Sequence, residues 1–417
     1  DALSVELRAQ ATHSYITPRP VQRQKHSWHG FGAVICPALP GRRHQTYNSA
    51  MATTAQKTTH PNVAPRRVGW TVVASVVSLV GVVSFVSALI PGWAVAQALS
   101  VRFPVAQLAA FPLLLGAAML LCSALTVLIC RARRSRWLGW SACIIWALAG
   151  ITFIAAPEGL PREVAPASSV ARSGAVADTT EHDNITIATF NTASTLTPDD
   201  LKSLVAAHHP EVIVLPETGG YEARQAVKSI GYPGQVFETR DWGFTDAYTG
   251  GIAPTSVVVS DSLGPAKHVR GPATSFGTVA LEFEDPSLPR IIGVHTAPPL
   301  PGLMQQWRTD LKEVAAFGES ASTPTVIAGD FNATLRHGPL AARTQLVDSQ
   351  EFCSRRQAGT WPARIPNALR APIDHVIVTH GMRTQSCQTM QIGGSDHLAY
   401  VTTVTTAPAA TSSTTAR

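Results

Sequence analysis

The sequence predicts an α/β domain that follows an N-terminal bundle of three transmembrane helices. Three observations carry that reading. Uncharged stretches crowd residues 67–156, and short β-rich runs alternate with helical stretches over residues 184–405. Charged residues make up only 14% of the chain, against about 25% in ordinary soluble proteins. A hydrophobic share of 45% excludes a mainly disordered chain. Six cysteines in 417 residues exclude a disulfide-dense scaffold.

The membrane part comes first. Gly69–Ile90, Val105–Ile129 and Trp137–Ala156 each come close to the roughly 20 apolar residues that span a bilayer, and none has the polar face of a soluble helix. Arg66 and Arg67 precede the first span, and Arg131, Arg133, Arg134 and Arg136 lie between the second and third. The loop between the first two holds only Arg102. Basic clusters stay in the cytoplasm, so everything after Ala156 is expected on the outside. Residues 1–66 show no hydrophobic period and are expected to be a disordered cytoplasmic tail. The first methionine is Met51, which makes residues 1–50 candidates for an over-extended gene model. Residues 157–183, rich in Ala, Ser, Pro and Val, are expected to be a flexible linker, and residues 406–417 a disordered tail.

Residues 184–405 carry the α/β pattern. Strand-like runs are Ile185–Phe190, Val212–Leu215, Ser256–Val259, Val279–Phe283, Ile291–His295, Thr325–Ala328, His375–Thr379 and Leu398–Val404. Pro198–His208 reads as a helix capped by Thr197, and Met304–Phe317 as a second, amphipathic one. Polar residues stand at the strand ends: Asn191, Glu217, His295, then Asp330 and Asn332 in Gly-Asp-Phe-Asn, Asp374 with His375, and Ser395-Asp396-His397. A polar residue just past a buried strand sits on a rigid element where a ligand can reach it. Six such ends bearing acids, amides and histidines suggest one convergent site. His375, next along the strand from Asp374, is expected to face the other way.

In the order Asn, Glu, His, Gly-Asp-Phe-Asn, Ile-Asp-His and Ser-Asp-His, the region resembles the endonuclease/exonuclease/phosphatase (DNase I-like) superfamily of metal-dependent phosphoesterases. Thr360-Trp361-Pro362 ahead of Ile373-Asp374-His375 adds to the likeness. The resemblance implies a four-layer α/β sandwich of two mixed sheets flanked by helices. It also implies roles. Glu217 would ligate a divalent cation, assisted by Asn191 and Asp396. His397 would contact the phosphate or activate the nucleophile, with Asp374 orienting its ring. Asp330 would position or deprotonate water, and Asn332 would donate a hydrogen bond to a phosphoryl oxygen. His295 would stabilise the developing charge or protonate the leaving oxygen. Oxygen ligands without a cysteine cluster favour Mg²⁺ or Mn²⁺.

The expected activity is hydrolysis of a phosphate ester by a membrane-integral protein whose catalytic domain lies outside. Nucleic acid is a less favoured partner. From Asn184 to Val404 there are 16 Lys/Arg against 20 Asp/Glu, a balance of −4, whereas polyanion binding runs on Lys and Arg. Arg355, Arg356, Arg364 and Arg370 are the candidates for a local basic patch. The alternative is an inactive family member serving as a surface scaffold. Leu215-Pro216-Glu217-Thr218-Gly219 matches a sorting signal but lacks the apolar span and basic tail that must follow one. Cys353 and Cys387 are the exported cysteines and are expected to pair in an oxidising compartment.

Overall fold

A computed structural model of the chain describes residues 65–132, 137–156, 184–239, 252, 254–352, 359–379 and 382–405. Residues 1–64 of the expected N-terminal tail, the C-terminal tail, the 157–183 linker, Cys353, Arg355 and Arg356 lie outside the described residues, whereas Pro65 and Arg66, expected in the tail, begin the first helix.

The N-terminal part contains helices α1 (Pro65–Leu89), α2 (Ala94–Ser100), α3 (Val105–Ala109), α4 (Pro112–Ala132) and α5 (Trp137–Ala155). Within α1, Thr71–Leu89 has a mean hydropathy of 2.4, and within α4, Pro112–Arg131 has 2.5; both are long and apolar enough to cross a membrane. The apolar stretch of α5, Gly139–Ala155, is shorter. It packs against both: Trp146 Nε1 donates to Val77 O at 3.0 Å, and Ser123 Oγ donates to Cys143 O at 2.8 Å. The outward faces expose Val73, Leu79, Leu121, Leu128, Ile144 and Ile151. One boundary differs from the expectation. The second long helix starts at Pro112, not at Val105, and Val105–Ala109 is a separate short helix. Proline lacks the N–H that a continuous helix needs and disfavours helical backbone in the residue before it, so the chain breaks at Phe111 and restarts with proline in the first turn.

The remainder is a sandwich of two six-stranded sheets. One has the order β11 (Arg383–Met390), β12 (Ala399–Thr405), β1 (Asn184–Thr189), β2 (Val212–Leu215), β4 (Ser256–Ser260), β3 (Gly234–Glu238). The other has β5 (Ala266–His268), β6 (Thr278–Phe283), β7 (Arg290–His295), β8 (Thr325–Asp330), β10 (Asp374–Thr379), β9 (Leu346–Asp348). The β1–β2 and β7–β8 pairs are parallel and the others antiparallel, so both sheets are mixed. Helices α6 (Pro198–His208) and α7 (Gly220–Ile230) cover the first sheet, and α8 (Met304–Glu319) covers the second; a short α9 (Gly338–Ala342) follows β8.

Strand alternation builds the layers. Ile185, Ile187, Val212, Val214, Val326 and Ala328 point between the sheets with Val376, Val378 and Tyr400. Their neighbours Ala188, Ile213 and Leu215 turn outward onto Leu201, Leu204 and Ala223, while Ile327 turns onto Trp307, Leu311 and Val314. Both faces of the central strands are therefore dry, which gives the continuous apolar runs in the sequence.

Register sets the site. His295 pairs with Asp330 across β7–β8, and Asp330 pairs with Asp374 across β8–β10. In the other sheet, Thr189 pairs with Val214 and with Tyr400, which leaves Asn191, Glu217 and His397 just beyond the same ends of β1, β2 and β12. His375 faces away from Asp374's partners. Its Nδ1 is 2.7 Å from Asp348 Oδ2 and its Nε2 is 2.7 Å from Ala333 O, with all of these side chains buried. Cys387 is disulfide-bonded.

Two consequences are measurable. Ile187→Ala, which empties a fully buried position between the sheets, is expected to cost about 2–5 kcal/mol, read as a lowered thermal unfolding midpoint. Burial opposes the charge on His375, but Asp348 outweighs it and raises the imidazole above its ordinary value. A raised folded-state pKa stabilises the fold fully below the unfolded value of about 6.5 and loses that contribution as pH climbs through the folded one. Asp348→Asn is thus expected to destabilise by about 3–5 kcal/mol at acidic pH, with the penalty shrinking as pH rises. A penalty independent of pH contradicts the ion-pair assignment.

Candidate active site

Asn191 ties the two sheets together. Its side chain, 1% exposed, donates from Nδ2 to Glu217 Oε1 at 3.1 Å and to Asp330 Oδ2 at 2.9 Å. Its Oδ1 accepts the Ala193 N–H at 3.0 Å, and its backbone carbonyl accepts Ser395 Oγ at 2.7 Å. Ser395 Oγ in turn accepts the His397 N–H at 3.0 Å. The Ser-Asp-His string is thereby fastened to the end of β1.

Asp330 lies at the centre. It follows Gly329, whose φ of +148° suits glycine and where a Cβ would collide with Val294 O. Asp330 Oδ1 accepts the Asn332 N–H at 2.7 Å. The Nε2 atoms of His295 and His397 both stand 3.8 Å from Asp330 Oδ2, and His295 Nε2 is also 4.0 Å from Glu217 Oε1. Asp374 Oδ2 is 2.9 Å from His397 Nδ1, while its Oδ1 and the Nδ1 of His295 are buried without a hydrogen-bond partner. Phe276 holds the His295 ring edge-on, with centroids 5.1 Å apart.

Two residues here adopt left-handed backbone, Glu217 at φ +56° and Asn332 at φ +46°. Asparagine tolerates that region; glutamate rarely occupies it without a compensating gain. Thr192 Oγ1 fixes the turn by donating to Glu217 O at 3.1 Å. The Glu217 carboxylate then opens onto a cavity of about 390 Å³ lined by Thr192, Thr218, Tyr221, Arg224 and Glu238. Asn332 has a supporting task as well: its Nδ2 donates to Thr296 O at 3.0 Å, and its carbonyl accepts the Trp307 indole N–H at 3.1 Å. Asp396 accepts the Trp361 indole N–H at 2.9 Å.

Charge is unevenly held. Burial pushes Asp330 up to about 7, with the Asp374 charge adding and His397 offsetting. Burial also raises Glu217, opposed by the Asn191 hydrogen bond and by His397. Burial together with the His397 charge pulls His295 down to about 3, so this imidazole is neutral. Burial works the same way on His397, but Asp374, Asp330 and Asp396 outweigh it and raise that ring to about 10.

Four carboxylates, Glu217, Asp330, Asp374 and Asp396, therefore share one end of the sandwich. Among the described residues no lysine or arginine pairs with any of them. That donor set fits a hard divalent cation. Ligand atoms of Asp330, Asp374 and His397 lie within 4.8 Å of one another, but His397 Nδ1 and Asp374 Oδ2 already engage each other. Glu217 has the freer carboxylate and reaches the cavity, with Asn191 and Asp396 beside it.

All eight residues singled out in the sequence thus gather at this end. The sequence did not point to the supports behind them. Gln350 Nε2 donates to Asp374 O at 2.7 Å, and Asp310 accepts the N–H groups of Ala297 and Ser275. Of the basic-patch candidates, Arg370 is committed locally to Ile365 O, Ala363 O and Asn367 Oδ1.

No curated protein matches the chain. Among solved structures, a humanised Danio rerio TDP2 carrying 14 mutations is 16% identical, with 53% of this chain and 99% of that one covered at a TM-score of 0.43. An endonuclease/exonuclease/phosphatase from Beutenbergia cavernae is 18% identical, covering 54% and 72% at 0.39. The human Nocturnin catalytic domain with bound sulfate is 17% identical, covering 54% and 94% at 0.37. The family profile described as Endonuclease/Exonuclease/phosphatase matches residues 188–397, half of the sequence and the whole of the strand-end site from β1 to His397. The chain belongs to the endonuclease/exonuclease/phosphatase family.

Proposed function

We propose that the protein is a membrane-anchored, outward-facing, divalent-metal-dependent phosphoesterase. Members of its family are in general phosphoester hydrolases. The observation that supports the specific reading is the convergence of His295, Asp330 and the Asp374–His397 pair beside Glu217 and Asn191. The apolar stretches of α1 and α4 support anchoring, and the arginines at 66, 67, 131, 133, 134 and 136 support an outward C-terminal domain.

Glu217, assisted by Asn191 and Asp396, would hold Mg²⁺ or Mn²⁺. When bound, such an ion supplies Lewis-acid polarisation of a phosphoryl oxygen. The protein's own residues do the rest. His397, held by Asp374 and cationic, is aimed at the space beside Asp330 and would bind a non-bridging phosphoryl oxygen, where charge grows in the transition state. His295 is neutral, with Nε2 also beside Asp330, and would donate a hydrogen bond to the same group. Asp330, fixed by the Asn191 and Asn332 N–H donors, is placed to orient an attacking water and take its proton. Burial of all four side chains keeps bulk water from screening these interactions.

The test is hydrolysis of bis-p-nitrophenyl phosphate by the full-length protein in detergent. Activity is expected with Mg²⁺ or Mn²⁺ and is abolished by chelator. Glu217→Gln and His397→Ala are each expected to lower kcat/KM by about 100-fold or more, with thermal unfolding close to wild type. Asp374→Asn is expected to lower kcat more than it raises KM, because it frees the ring without removing it. Activity that survives both Glu217→Gln and His397→Ala overturns the site.

A further inference from the structure

The connector between the first two long helices does not merely link them. Its two short helices, α2 and α3, lie against the catalytic domain. Ala106 is fully buried in the cluster that contains Phe276, Ile292, Trp307 and Leu340. Gln107 Nε2 donates to Pro299 O, and the Gly338 N–H donates to Ser100 Oγ at 3.0 Å. His337 accepts the Thr334 N–H at Nδ1, which leaves its Nε2–H to donate to Ala106 O at 2.9 Å.

Arg336 completes the joint. It is 4% exposed, and its guanidinium donates to Ser87 O and Ala88 O, both at 3.2 Å, and to Ala156 O at 2.7 Å. These carbonyls belong to the C-terminal ends of α1 and α5, where backbone acceptors lack helical partners and the helix dipole is negative. The same guanidinium lies over the Phe153 ring at 4.9 Å. A single buried cation from the loop after Asp330 and Asn332 therefore caps two helices of the N-terminal bundle. On the other flank of the site, Phe111 meets Trp361, whose indole N–H holds Asp396.

While Ala96, Ser100, Ala106 and Ala109 are buried, the connector leaves Val95, Leu99, Phe103 and Leu108 open, Phe103 at 60% exposed. These residues continue directly from helix ends that are themselves apolar on the outside. Short helices with one face on protein and an apolar face unpartnered, at the end of membrane-spanning segments, suit the lipid interface.

Resting on the membrane-anchored phosphoesterase reading, we infer that residues 91–111 and Arg336 form a fixed seat that presses the active-site edge against the outer face of the bilayer, so the phosphate ester it hydrolyses is one carried by a membrane lipid. In that reaction water adds to phosphorus, the P–O bond to the departing alcohol breaks, and the proton lost by water ends on that alcohol; no oxidant or reductant enters. The seat packs on Arg336 and His337 and meets Trp361 through Phe111. Arg336 and Arg370 are spent on backbone carbonyls, so neither is available to a polyanion, whose binding depends on such cations.

The test reconstitutes the full-length protein in phosphatidylcholine vesicles with and without phosphatidylglycerol, cardiolipin or phosphatidylinositol. It reads release of water-soluble phosphate ester beside hydrolysis of bis-p-nitrophenyl phosphate in solution. Lipid hydrolysis is expected. Arg336→Ala is expected to slow it about tenfold or more while leaving the soluble diester nearly unchanged. The double variant Phe103→Glu, Leu108→Glu alters only exposed side chains and is expected to show the same selective loss. Hydrolysis of the soluble diester with none of the vesicle lipids attacked overturns the inference and leaves the phosphoesterase reading standing. Equal loss on both substrates, or no loss with either variant, also overturns it. Absence of hydrolysis of either substrate removes the phosphoesterase reading and this inference together.

Discussion

Like charges crowded into a dry place repel one another, and the rest of this site can be understood as an answer to that problem. Glu217, Asp330, Asp374 and Asp396 end up at one end of a two-sheet core because strand register puts them there. Burial raises the cost of ionising Glu217 and Asp330. The amide of Asn191 bridges two of the four, one imidazole pairs with a third, and an indole N–H holds the last. These contacts are mostly neutral donors. They satisfy lone pairs without cancelling charge, and such a donor set fits a hard divalent cation.

The two histidines show how environment divides labour between identical side chains. Both Nε2 atoms approach Asp330 Oδ2 at the same 3.8 Å. His397 has the Asp374 carboxylate behind it and is cationic, whereas His295, buried against Phe276 and close to the His397 charge, is neutral. A phosphoryl group held beside Asp330 would meet one cationic donor and one neutral one. The asymmetry comes from the Asp374 carboxylate behind one ring and the uncompensated burial of the other, so it survives only while the β8–β10 register and the Ser395 anchor hold.

Legibility in the sequence followed burial. The eight strands visible from apolar runs are β1, β2, β4, β6, β7, β8, β10 and β12, all interior strands with two dry faces. The four that escaped, β3, β5, β9 and β11, are the four edges. Edge strands are short or polar, as Arg383–Met390 illustrates, and solvent on one side removes the need for alternation. The site residues were legible because they interrupt apolar runs at strand ends. Thr296, Gln350 and Ala333 were not, because they act through backbone carbonyls or on them, and a carbonyl has no signature in sequence. Arg336 was opaque for a related reason: its partners are the carbonyls of Ser87, Ala88 and Ala156, distant in the chain. The break at Phe111–Pro112 was visible as a proline, yet apolarity on both sides concealed that Val105–Ala109 is separate from the long helix and contributes Ala106 to the core of the α/β domain.

The most direct measurement is anomalous-scattering crystallography of the protein grown with Mn²⁺. A single strong peak within about 2.5 Å of a Glu217 carboxylate oxygen, with Asn191 and Asp396 beside it, is the predicted result. A peak lodged between Asp374 and His397, or crystals that take up no Mn²⁺ at this end of the sandwich, would contradict it.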